Sequence, residues 1–132
     1  MVNEAKEHLE RAFALDGRGR EAEAIVFYKK ALALGLEGGD RKDALVCLAS
    51  SYRNVGEPGR ARRVLEKARR EFGGDPVVEA FFALVLHDLE EEARALRVLG
   101  RAFLDSCADE RLEPYREALR RKFNALTRRR SS

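Results

Sequence analysis

Two pairs of polar residues in this chain have types that could do chemistry: Arg53 and Asn54 in SYRNVGEPG, and His87 and Asp88 in LVLHDLEEE. Arg offers a planar fork of donors that fits a carboxylate, and Asn both donates and accepts. Grouped at one level of a surface, they could hold a peptide carboxylate or a polar side chain. Two structural roles compete with that one: capping carbonyls at helix ends, or bridging neighbouring helices. Arg53 near a helix C-terminus is also favoured by the helix dipole. A catalytic role would need a nucleophile, a base and an orienting group in mutual reach. Ser50 and Ser51 lie near Arg53 in sequence, but proximity alone does not activate a helical serine. The chain has no Gly-rich phosphate loop and no HExxH pair. His8 has no second ligand at helical spacing. No catalytic residue, metal or cofactor is expected.

The elements that position these residues are helices. Ala, Leu, Glu and Arg dominate the 132 residues, and they are good helix formers. No alternating Val/Ile/Thr-rich run is long enough for a strand. The length suits one domain with a modest core. With 26 basic and 23 acidic residues the net charge is only +3, which describes a mixed-sign surface and not a nucleic-acid binder. The charge is uneven, however. From Arg111 onward there are eight Lys or Arg against Glu113 and Glu117, about +6, so the rest is about −3. Cys47 and Cys107 form no CxxC pair and are expected as free, buried thiols. The opening MVNEAKEHLE does not read as a signal peptide, and no apolar run reaches the length of a membrane span. A cytoplasmic protein without membrane contact is the expectation.

Three segments repeat: Gly19 to Leu34, Gly56 to Phe72 and Glu90 to Leu104. In one register Ala24, Ala61 and Ala95 correspond, then Tyr28, Leu65 and Leu99, then Ala31, Ala68 and Ala102. The offsets are 37 and 34. Upstream, Ala12, Ala49 and Ala83 align, followed by Leu15, Tyr52 and Leu86. Each unit is therefore a first helix, a break and a second helix. The alanines let the two helices approach closely. The bulky Tyr28, Leu65 and Leu99 are expected to fill the space between units. Asn3, Asp40 and Asp75 are candidate N-caps, with Pro76 suited to the first helical position. Leu112, Tyr115, Leu119, Phe123 and Leu126 form one apolar stripe on a last helix, with Pro114 in its first turn. A repeat stack exposes an apolar end, and this helix is the natural cap.

The pattern resembles the tetratricopeptide repeat over roughly residues 3 to 105. The middle unit matches best, through Leu45, Leu48, Ala49, Tyr52, Gly56, Ala61, Leu65 and Ala68. The first unit departs at His8 and Arg11, where large apolar residues are usual, and the third has Glu90 where the turn glycine belongs. The whole chain also resembles a small bacterial group of three-repeat tetratricopeptide proteins, in EAEAIVFYKKALALGL, LASSYRNVG and AFFALVLHDL. The resemblance implies protein–protein interaction and no reaction. It also implies that the first helices line a concave groove. The groove positions would be Lys6, Leu9 and Phe13; Val46, Ser50, Arg53 and Asn54; and Leu84, His87 and Asp88. Phe13 and Val46 stand where carboxylate-clamping members of the family carry polar groups.

These readings give an all-α, right-handed α-solenoid of three units at about 3–37, 40–74 and 75–106. A capping helix at about 109–127 completes a single domain, 1–127, before a basic tail, 128–132. The function expected is a non-enzymatic scaffold that binds a protein or peptide through Lys6, Phe13, Ser50, Arg53, Asn54, Leu84, His87 and Asp88. A second copy of the chain is the other partner considered. The alternative is a nucleic-acid accessory using Arg116, Arg120, Arg121, Lys122 and the Arg128–Arg130 tail, set against a solvated helix face softened by the Glu117–Arg121 pair.

Overall fold

The computed structural model describes residues 3–127, and the regular structure among them is helical. Three hairpins follow one another: α1 (Glu4–Gly17) with α2 (Glu21–Leu34), α3 (Gly38–Asn54) with α4 (Pro58–Glu71), and α5 (Pro76–Asp88) with α6 (Glu92–Ser106). A 3-10 segment (Glu110–Tyr115) and a short α7 (Arg116–Asn124) follow them.

Two of the expected caps form. Asn3 accepts from Lys6 N at 3.2 Å, and Asp75 accepts from Val77 N and Val78 N at 2.9 and 3.2 Å. Asp40 does not cap. The chain enters α3 two residues earlier, through Gly38 at φ +58°, and the Asp40 carboxylate instead takes the Lys6 ammonium at 2.9 Å. Asp75 also accepts from Lys42 Nζ at 3.0 Å. Partial burial pushes the Asp75 carboxyl up, but Lys42 and the two amides outweigh it and hold the group below its usual 3.8. A depressed folded pKa contributes stability above the unfolded value and loses it as pH falls through the folded one. Asp75→Ala should therefore cost about 1 kcal/mol at neutral pH. In urea titrations the gap from wild type should close as pH falls below 3.8.

All three hairpin turns have the same shape. Arg20, Glu57 and Glu91 donate their backbone N–H to the carbonyls of Leu15, Tyr52 and Leu86, at 2.8–2.9 Å. This six-residue closure places the preceding residue in the left-handed region. Those residues are Gly19 (φ +75°), Gly56 (φ +82°) and Glu90 (φ +63°). Glu90 thus takes the glycine conformation without being glycine, which strains it by about 1 kcal/mol. The extra unfolded-chain entropy of glycine offsets part of that relief, so Glu90→Gly should raise the melting temperature by only about 1–2 °C, as read by circular dichroism.

The packing follows the small–large alternation. Ala12, Ala49 and Ala83 on the first helices are buried, as are Ala24, Ala61 and Ala95 on the second. Tyr28 and Leu65 are 0% exposed, because the next hairpin covers them. Leu99 departs from that expectation at 44% exposed, since among the described residues no helix lies where the next first helix would. Consecutive first helices touch, α1 with α3 and α3 with α5, whereas α2, α4 and α6 do not touch one another. The first helices therefore form the inner, concave layer and the second helices the outer one.

The C-terminal segment is not one helix. Pro114 lies inside the 3-10 segment, and α7 starts only at Arg116. Proline removes an amide donor and disfavours α geometry in the residue before it. The Arg116 guanidinium then reaches back to Leu104 O and to Cys107 O, fixing the segment against the end of α6. Residues 128–132, the expected basic tail, lie outside the described residues.

Candidate functional site: the inner face of the first helices

The repeat register places residues of α1, α3 and α5 at matched levels of the inner face. One level carries Asp16, Arg53 and His87, with Asn54 and Asp88 one residue on. The geometry engages all of these with neighbours. Arg53 is ion-paired with Asp88, tying α3 to α5 across two units. Asn54 donates to Glu21 Oε1 at 2.9 Å, tying α3 to the start of α2. His87 Nδ1 and Glu92 Oε2 lie 2.9 Å apart across the third turn. Asp16 accepts from the buried Tyr28 hydroxyl at 2.8 Å. Burial, and then that bond to Asp16, push the Tyr28 phenol well above its usual range. Burial also raises the thiol of the neighbouring, half-buried Cys47.

A second level holds Phe13, Ser50 and Leu84, the same position in each unit. Phe13 is 38% exposed, edge-on to Tyr28 with centroids 6.0 Å apart, and Leu84 is 45% exposed. Ser50 lies half-buried between them in the repeat order. Two turns earlier on the same helix faces come Lys6 and Val77. Val77 is also largely exposed. It sits at the register of Lys6 but was absent from the sequence-derived set; the 37 and 34 offsets that align Lys6 with Asp43 would have found it. Two expected groove positions are corrected. Leu9 and Val46 point into the core and do not line the face, because the first helices need those side chains to pack on their own hairpins.

Ser51 is fully buried and its hydroxyl has no hydrogen-bond partner, so no base activates it. Among the described residues no three His, Cys, Asp or Glu side chains are grouped to hold a metal. No helix among them is long and apolar enough to cross a membrane. On α7, Arg116 is bound to backbone carbonyls and to Glu113, and Arg120 to Asp105 at 3.0 Å. Arg121 and Lys122 are left exposed.

A curved stack of helical hairpins with an open inner face defines the class of helical-repeat proteins. More specifically, a family model described as tetratrico peptide repeat matches residues 5–126, and the chain belongs to the tetratricopeptide repeat family. No curated protein matches the chain. The family generally mediates protein–protein interactions and is typically non-enzymatic.

Proposed function

We propose that this protein is a non-catalytic scaffold that binds an extended peptide segment of a partner protein across the inner face of α1, α3 and α5. The observation that carries this reading is the pair of exposed apolar side chains, Phe13 and Leu84, at the same repeat position on either side of Ser50. Folding alone leaves them in water, and a bound apolar side chain at each would remove that exposure. Two interhelical steps of 8–10 Å separate α1 from α5, so the span is about 20 Å. An extended peptide covers that with about six residues. Apolar side chains near its two ends and a polar group near Ser50 would match the face. The Lys6–Asp40 and Arg53–Asp88 pairs would form its charged rim. In this reading Arg53, Asn54, His87 and Asp88 shape the rim while holding the units together.

The partner can also be a second copy, through a surface other than this face. A nucleic-acid role draws less support, because Arg116 and Arg120 are committed to seating α7.

The test is affinity capture from a cell lysate, with wild type beside Phe13→Glu/Leu84→Glu, both first matched for helicity. At least one protein should be retained by wild type and lost by the variant. Identical captured sets would remove the inner face as the binding site.

A further inference from the structure

The outer end of the third unit carries a second apolar surface. Leu96, Leu99 and Phe103 form a stripe at i, i+3 and i+7 along α6, and are 48%, 44% and 49% exposed. In the first unit the same positions are Ile25, Tyr28 and Leu32, all wholly or partly buried and part of the core. The stripe is therefore the seat for a following helix. The chain's own α7 does not take it. Instead α7 lies to one side, with the Phe123 ring pressed on Gly100.

We propose that the occupant is a second copy of this chain, and that two α6 helices pair antiparallel about a two-fold axis near Leu99. Three observations favour a copy in that arrangement. First, α6 is self-complementary. A cavity of about 640 Å³ opens beside Leu96, between the start of α6 and the residues just after α7; its lining mixes apolar Leu89, Ala93 and Leu126 with charged Glu90, Glu91, Arg94 and Arg97, so a ring seated there meets an apolar floor with a charged rim. Antiparallel pairing about Leu99 sets Phe103 of each copy against Leu96 of the other, so each ring meets the other copy's cavity. The contact is then made twice, as an isologous interface requires. Second, the charges agree. Glu92 is the charged residue in line with the stripe, one turn before Leu96. Antiparallel pairing places the two Glu92 side chains at opposite ends of the seam, about 20 Å apart at 1.5 Å per residue, whereas parallel pairing would bring them together.

Third, the other end of the molecule does not fit this seat. His8 and Arg11 of α1 stand where the third unit has Glu79 and Phe82, the side chains that meet Arg69 of the preceding unit. At the N-terminal end they cover Phe27 instead, His8 with centroids 5.8 Å apart and Arg11 at 5.7 Å. A head-to-tail stack would bury that polar end against Leu99. The three stripe side chains offer on the order of 250 Å² per copy, short of the ~800 Å² of a standard interface. Surface around the seam must add to it.

This surface is separate from the inner face, so the two readings fail independently. The test is sedimentation velocity over a concentration series, with wild type, Leu99→Glu, and Phe13→Glu/Leu84→Glu as the control that keeps the seam. Wild type and the control should pass from monomer to dimer, and Leu99→Glu should raise the dissociation constant at least ~tenfold by placing two carboxylates on the axis. Leu99 is half-exposed, so circular dichroism should show this variant fully folded. In a background of Cys47→Ala and Cys107→Ser, Leu99→Cys should also form a disulfide with its own mate on oxidation. A wild type that stays monomeric, or a dimer that Leu99→Glu leaves intact, would overturn the proposal.

Discussion

Phe82→Ala should cost about 3–5 kcal/mol, the largest single loss expected from any side chain at a unit boundary. The ring is 0% exposed in the core between the second and third units. Removing it loses the transfer energy of the ring and leaves a cavity that the surrounding helices can only partly close. Two cations also lose their seat. The Arg69 guanidinium lies 4.2 Å from the ring centroid and that of Arg94 5.5 Å. Each such contact adds about 0.5–1 kcal/mol. A small domain has a total stability of about 5–15 kcal/mol, so the loss is a large fraction of it. In a repeat stack stability is approximately a sum of unit and boundary terms. The damage should therefore fall on α5, α6 and α7 first. Urea unfolding followed by circular dichroism should show a second, earlier transition, and hydrogen exchange should place it in those helices. Phe82→Leu should recover most of the loss. A single transition shifted by less than 1 kcal/mol would mean that the boundary does not depend on this ring.

Gly100→Ala should destabilise the protein, although glycine in a helix interior normally gains about 0.5–1 kcal/mol on that change. A Cβ built on Gly100 would lie 2.6 Å from Cδ2 of Phe123, and closer still to Cγ and Cδ1. The ring has to move, and overpacking of this kind costs about 1–3 kcal/mol. Sterics therefore outweigh propensity, and α7 should lift from α6. Limited proteolysis should then cut faster at Arg111 and Arg116, with α1–α6 intact. Gly59 in the first turn of α4 is the control. Nothing lies within 4 Å of a Cβ there, so Gly59→Ala should be neutral or mildly stabilising. If both changes stabilise alike, Phe123 is not what fixes the glycine.

The hairpins were legible because their determinants are local and recur. Ala12, Ala49 and Ala83 mark the close approaches, and Gly19 and Gly56 mark the turns. Glu90 reads as a departure at the level of residue type, yet its backbone adopts the same left-handed turn, because the hydrogen bond from Glu91 N to Leu86 O demands it. The roles of the polar residues were less legible. Arg53 and Asp88 are 35 residues apart in sequence, and Lys6 and Asp40 are 34 apart. Which charges meet depends on how the units stack, and a local pattern does not encode that. Leu99 shows the limit of periodicity. Its spacing is that of a core residue, yet it is half-exposed because none of the described helices packs on it as α3 packs on Tyr28. Gly100 stands where the first two units carry Lys29 and Glu66, and the repeat pattern alone gives no reason for it. Its explanation lies 23 residues downstream, at Phe123.

The central claim is that partners lie on the inner face. The most direct measurement is an amide chemical-shift map of the labelled protein titrated with a peptide from the captured partner. Shifts should cluster on α1, α3 and α5, around Phe13, Ser50, Val77 and Leu84, and saturate together. Shifts confined to α4, α6 and α7, with the inner face unmoved, would contradict the account.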